Sequence, residues 1–315
     1  MTSRLSKNAV INSKNNISKQ IRKNWSLYIL LLIPMTYIIV FKYIPMYGTQ
    51  IAFRNYQPVQ GILGSPWVGL KHVRTFFNSY LFWRIFRNTI AISLYEMLTF
   101  PLPIILALLL NYIPSYWFKK TVQMVSYAPY YISTVVMVGM ILQFLDMRNG
   151  LLNNILGLIG IDSINFMGNP QYFWHIYVWS GVWQGIGYSS IIYIAALSGV
   201  SPELHESAII DGANIVKRIK YVDIPTILPT IIILLLLRCG SILSIGFEKI
   251  MLMQNTLNKP MSEVISTFVY KQGIASSMGN FSYATAVGLF VSIVNFILLI
   301  TVNKAANALG ENSLW

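Results

Sequence analysis

The sequence predicts an all-α membrane protein of about six transmembrane helices, and three observations carry that prediction. Hydrophobic residues make up 55% of the chain and charged residues only 10%, against roughly 25% charged in a soluble domain. So few charges cannot cover the water-exposed surface of a 315-residue chain, and the apolar surplus must face lipid. The apolar residues also fall into runs of about 20, the length that crosses a hydrocarbon core. Finally, the basic residues behind a formal net charge of +13 gather before and between these runs, where a cation is cheap.

Residues 1–25 form a basic tail carrying Arg4, Lys7, Lys14, Lys19, Arg22 and Lys23. A juxtamembrane segment facing anionic lipid accounts for it, and no groove-like basic cluster points to nucleic acid. The first span covers about 26–44, with Pro34 inside and Lys42 near enough to its end to snorkel. No small-residue cleavage site follows, so it reads as a retained helix and not a removed signal peptide. Turn signals follow between Tyr56 and Pro66, and residues 71–87 mix Lys and Arg with Phe, Trp, Leu and Ile as an interfacial amphipathic helix does.

The second span, 88–112, carries Pro101 and Pro103, which predict a kink. After Lys119 and Lys120 comes a third span over 121–145, then a loop with Asp146, Arg148 and Asp162. The fourth span, 172–196, has Gly181 and Gly185 in GxxxG spacing, plus Gly187, an arrangement that lets a neighbouring helix approach closely. The fifth covers 226–247. A polar loop over 253–281 leads to the sixth, 282–303, and a tail of 304–315. The basic residues of the tail, of the 113–120 and 197–225 loops, and Lys304 favour a multi-pass protein of the cell membrane with its N-terminus in the cytoplasm. Arg54, Lys71, Arg74, Arg84 and Arg87 on the other side blur that bias.

The 197–225 loop is polar and charged. Ser201-Pro202-Glu203 predicts a helix start, with Ser at the N-cap, Pro at the first position and an acid in the first turn. Leu204, Ala208 and Gly212 then recur on one face, beside a polar stripe of Glu203, Ser207 and Asp211. Asp211-Gly212 stops the helix, and a second helical stretch carries Lys217, Arg218 and Lys220 before Pro225 and Pro229. A short helix with a compact face can plug into a cleft on another protein; a solvated connecting loop has the same composition.

The segment Glu206-Ser207-Ala208-Ile209-Ile210-Asp211-Gly212-Ala213, with Ile224-Pro225 beyond it, resembles the EAA motif of binding-protein-dependent ABC importer permeases. Ser207 stands where that pattern has Ala and Ile224 where it has Leu. Further likeness to the polysaccharide and oligosaccharide branch lies in Trp67-Val68-Gly69-Leu70, Arg87-Asn88-Thr89, Pro101-Leu102-Pro103, Gly246-Phe247-Glu248-Lys249, Ala286-Val287-Gly288 and the closing Ser313-Leu314-Trp315. The resemblance implies a type I ABC importer permease fold and a heteromeric sugar importer. Its other parts are a second permease, a dimer of ATPase subunits and an extracytoplasmic solute-binding protein. It also implies that the motif helix couples to the ATPase. Glu206 would anchor that helix, Ser207, Ala208 and Gly212 would allow close docking, Asp211 would brace the turn, and Pro225 would open the next span.

A sugar path needs aromatic faces and a few placed polar groups. Trp183, Gln184, Tyr188 and Tyr193 in the fourth span meet that description, as do Phe247, Glu248 and Asn255 around the end of the fifth. Arg238, mid-way along the fifth span, needs a partner or a wet cavity, and Glu96 in the second span is the candidate partner. These residues line a path or merely pack; the sequence leaves both open. Cys239 is the only cysteine, so no internal disulfide forms. His72, His175 and His205 lack metal-binding spacing, with His205 placed as a docking contact. No phosphate-binding GxxxxGK[ST] loop is present, so no nucleotide, metal or other cofactor is expected on this chain. The rival reading is a stand-alone secondary transporter or channel, which would have to draw its ion coupling from Glu96 and Glu248.

Overall fold

The computed structural model describes Lys19, residues 22–276 and residues 279–308. Arg4, Lys7, Lys14 and the Ser313-Leu314-Trp315 terminus lie outside the described residues. The chain divides into two compact units, Met1–Gly69 and Leu70–Trp315. Among the described residues there is no β-strand, only the isolated bridges Arg54↔Trp67 and Gln57↔Gly61.

The first unit is one long apolar helix and a compact return. Helix α1, Trp25–Ile38, runs on through a π-helical turn, Ile39–Tyr43, and ends in a 3-10 turn, Tyr47–Phe53. The whole of Trp25–Phe53 is long and apolar enough to cross a membrane. The π turn has a local cause: Pro45 has no N–H for the carbonyl four residues back, and widening the preceding turn relieves both the missing bond and the ring clash. Beyond Phe53, the Arg54 guanidinium donates to the carbonyls of Leu63 (3.1 Å) and Ser65 (2.8 Å), and Trp67 stacks on Phe53 at 5.5 Å.

The second unit begins with α2, Lys71–Phe77, and α3, Phe82–Leu98. The interfacial helix expected over 71–87 is divided between these two, because the chain turns at Asn78-Ser79. Its apolar face meets protein and not lipid: Phe76, Phe82 and Ile85 are buried with Ile265, Phe268, Tyr283 and Val287. Helix α4, Pro101–Asn111, completes a membrane-length apolar stretch over Phe82–Asn111.

Where a continuous third span was expected, Tyr116–Tyr131 and Thr134–Phe144 meet at a bend of 100°. The bend follows from sequence: Pro129 withdraws a helical donor, and Ser133 caps a new helix by accepting from the Val136 N–H. We label these helices α5 (Tyr116–Tyr127) and α6 (Thr134–Phe144); α7 is Leu151–Leu158.

Helix α8, Phe173–Leu197, has 25 residues. At about 1.5 Å per residue that is long enough to cross a membrane, but its Trp, Tyr, Ser and Gly leave it outside the four helices that are both long and apolar enough. The described residues therefore hold four such helices, or five if the bent pair counts as one span, and α8 is the sixth element of the expected set. It lies in the core. Phe173, Tyr177 and Val178 are buried with Ile92, Met137 and Ile250, while Tyr193 and Leu197 are buried with Ala107, Leu108 and Ile227. Of the glycines expected to admit a neighbouring helix, only Gly187 does so, since a Cβ there would run into the Ser126 backbone of α5. Gly185 has open space beside it, and Gly181 makes room for Lys249, whose amine donates to the Tyr177 carbonyl at 2.7 Å.

Helix α9 is Pro202–Ile210, and α10 is Ile224–Cys239. A π turn, Ile219–Asp223, precedes Ile224-Pro225 just as one precedes Ile44-Pro45, for the same reason. Helix α10 stops at Cys239 and not at the expected 247. The turn that follows is held by Asn295, which accepts from Leu243 N–H (3.1 Å) and donates to Ser244 Oγ (3.0 Å), and by the Ser93 hydroxyl on the Ile242 carbonyl. Helix α11, Phe247–Met253, and α12, Ile265–Tyr270, lead to α13, Phe281–Ala308.

Candidate functional site

The 197–225 loop folds into two short helical pieces joined by a tight cap. Ser201 occupies the N-cap position of α9 as expected, with Pro202 and Glu203 in the first turn, but its side chain makes no capping bond. The far end is a Schellman closure: Ala213 N–H donates to Ala208 O (2.8 Å) and Gly212 N–H to Ile209 O (3.0 Å). Gly212 adopts φ +74°, the left-handed conformation that disfavours side chains bearing a Cβ. Asn214 caps the next helical turn by accepting from Lys217 N–H at 3.0 Å. That cap was readable in the sequence as Asn ahead of an apolar pair.

No residue of α9 is buried. Glu206, Ser207, Asp211 and Gly212 are exposed; Ala208 is half-buried. The Ser207 hydroxyl turns back to the Leu204 carbonyl at 3.2 Å. His205 is the departure from expectation, because it points into its own chain. Its Nε2 lies 3.3 Å from Oδ1 of Asp223, a carboxylate with no solvent exposure. The other oxygen of Asp223 accepts from the Tyr112 hydroxyl at 2.6 Å. The Arg218 guanidinium lies over the Tyr112 ring at 5.2 Å. Tyr112 is one residue past the end of α4. Burial, then the hydrogen bond to Asp223 and its charge, push the phenol well above its usual range, while Arg218 pulls it down. Tyr112 therefore remains a donor. Sequence reasoning had no signal for this cluster: Tyr112 and Asp223 are 111 residues apart.

The path candidates divide into two kinds. Gln184 donates to the Ile132 carbonyl at 2.9 Å, satisfying the carbonyl that the 100° bend exposes. Asn255 donates to Met167 O (2.8 Å) and accepts from Leu257 and Asn258, and Tyr193 is 3% exposed in the core. These three hold the scaffold. Trp183, Phe247 and Glu248 are exposed, and Phe247 rests against Tyr270 at 4.9 Å. Tyr188 is exposed on one face and stacks on Tyr130 with the other, 3.7 Å between centroids. Arg238 meets Glu96 at 3.0 Å, beside a water-sized cavity of about 30 Å³ lined by Ser93, Met97 and Ser241. The expected ion pair thus forms between the second and fifth spans.

Residues 99–306 match the profile of the binding-protein-dependent transport system inner membrane component. The chain belongs to that family. This permease is 39% identical over 290 residues to the polygalacturonan/rhamnogalacturonan transport system permease protein YteP of Bacillus subtilis, covering 92% of this chain and 90% of the relative. It is 37% identical over 295 residues to protein LplB of the same organism, covering 93% and 92%. Its fold matches a chain in the crystal structure of a bacterial ABC transporter involved in the import of the acidic polysaccharide alginate, with a TM-score of 0.85 and 36% identity. That match covers 93% of the permease and 99% of that chain. A second structure, of the alginate transporter in complex with alginate pentasaccharide-bound periplasmic protein, matches with the same TM-score at 35% identity. The permease is accordingly a multi-pass inner-membrane subunit of an ABC importer, with a transport role, and the stand-alone transporter or channel is set aside.

Proposed function

We propose that this permease forms part of the path by which an oligosaccharide or polysaccharide fragment enters a bacterial cell, driven by ATP hydrolysed on separate partner subunits. Helix α9 carries the reading. It is a nine-residue helix with no buried residue, closed by a left-handed glycine and set just before a membrane-length helix. An apolar-edged helix that packs on nothing in its own chain is suited to a cleft in another protein. With the N-terminus in the cytoplasm, as the basic tail favours, α9 faces the compartment where ATP is available. Glu206, Asp211 and Gly212 then meet the ATPase, Ser207 and Ala208 keep the approach close, and Pro225 opens the following span.

The sugar reading draws on YteP, whose name specifies polygalacturonan/rhamnogalacturonan transport, and on the alginate transporter structures. A second permease completes the path, to which Trp183, Tyr188, Phe247 and Glu248 contribute exposed faces, with Arg238 anchored on Glu96. A solute-binding protein delivers the sugar from outside, as the periplasmic protein of the alginate complex suggests.

Gly212→Asp tests the reading. Aspartate tolerates the left-handed region better than most residues, and a Cβ at Gly212 meets nothing of its own chain within 4 Å. The cap therefore survives while a charged side chain projects toward any partner. The tagged permease purified from native membranes is expected to bring a second permease and an ATPase. The variant is expected to insert normally and lose the ATPase. Recovery of the chain alone in both cases overturns the proposal.

A further inference from the structure

We infer that the buried Asp223 cluster sets the pose in which α9 docks, with His205 and Tyr112 as positioning residues; this rests on the coupling reading above. The starting observation is how little else holds the helix. Only His205 and Ala208 of α9 are even half-buried. A helix with no buried apolar anchor is free to roll and tilt, and a roll of one residue, about 100°, would turn a docking face away. The one directed polar contact between α9 and the membrane-spanning part is His205 to Asp223 at 3.3 Å.

Asp223 joins three segments. It ends the π turn that leads into α10, it faces His205 on α9, and it accepts from Tyr112 just past α4 at 2.6 Å. The only further charge near it is Arg218, stacked on the Tyr112 ring. A carboxylate with no solvent exposure is a poor choice for mere adhesion, since apolar residues of similar volume commonly serve a buried joint at least as well. What a carboxylate adds is direction. Each oxygen takes a separate donor, so the rotation of α9 and the spacing of the two spans are specified together. Any displacement of α9 by an ATPase passes through this joint into both spans at once.

The test measures docking, so the sugar need not be known. The permease with its partner permease is reconstituted in nanodiscs and titrated with the purified ATPase subunit, while thermal unfolding is followed on the same samples. Asp223→Asn and His205→Leu are expected to raise the apparent Kd about tenfold, and Tyr112→Phe somewhat less, which is the scale of one buried hydrogen bond lost. His205→Gln, which keeps a donor near Nε2, is expected to return within about twofold of the native value. Melting temperatures are expected to stay close to native.

Unchanged Kd in the His205→Leu and Asp223→Asn variants overturns the inference. So does a loss of Kd that tracks a loss of melting temperature across the whole set, because the cluster is then only structural. If Asp223→Asn alone fails to fold, Tyr112→Phe and the His205 pair decide. Gly212→Asp is the internal control: if it loses docking while the joint variants do not, only this inference falls, and if it too docks normally the coupling reading itself has failed.

Discussion

Two polar segments, each ahead of a membrane-length helix, look alike in composition and fold in opposite senses. The 197–223 segment turns nearly all its polar groups outward, and α9 has no buried residue. The 247–276 segment turns them inward. Lys249, Asn258, Ser262, Glu263 and Thr267 are all buried there. Asn88 of α3 donates to the carbonyls of Pro260 (2.9 Å) and Glu263 (3.0 Å), Glu263 pairs with Arg84 and with Lys259 (3.7 Å), and Asn258 and Asn255 hold the Met167 carbonyl. The first segment is finished only by a partner. The second is finished by its own chain. A polar loop in a membrane protein is therefore a docking element or a folded cap according to where its hydrogen bonds end, and composition does not say which.

The largest way to break the contrast is Glu263→Ala. Removing a buried acid that answers two cations is expected to destabilise the protein by about 3 kcal/mol, toward the lower end of such losses because the Arg84 side chain keeps 34% exposure. Denaturant unfolding in detergent measures it; a loss below about 1 kcal/mol would place this segment with ordinary surface loops.

A smaller effect is a pH slope. Burial lowers Lys271 below the usual lysine range, with Glu263 raising it and Lys259 lowering it further. A lysine depressed in the folded state binds fewer protons there than in the unfolded chain, so stability rises with pH between its folded value and about 10.4, then levels off. The slope is expected to vanish in Lys271→Gln, read as melting temperature against pH in the alkaline range. The smallest stability effect is expected from Glu206→Ala on α9, within about 0.5 kcal/mol of native. If its ATPase retention nonetheless falls, the two segments are separated by function as well as by stability.

Much of this contrast was legible before any coordinates. The helix start at Ser201-Pro202-Glu203 and the stop at Asp211-Gly212 depend on backbone chemistry within a few residues, and the helix ends where they place it. The π turns before Pro45 and Pro225 and the break at Pro129 are local in the same way, although the sequence was read as continuous spans there. The Arg238–Glu96 pair was foreseeable because two charges in lipid have few alternatives. Gln184 and Asn255 were misjudged as path residues because nothing local shows that Ile132 and Met167 would present unpaired carbonyls to them.

The sequence by itself determined the membrane class, the family and the docking helix, since each follows from composition or from contiguous residues obeying short-range rules. Only the tertiary structure decided which polar groups serve the chain and which remain for a partner. Whether a carboxylate such as Asp223 is buried depends on donors brought to it from 18 and 111 residues away. Hydrogen bonding is short-ranged in space and indifferent to distance along the chain, so that assignment exists only once the helices have packed.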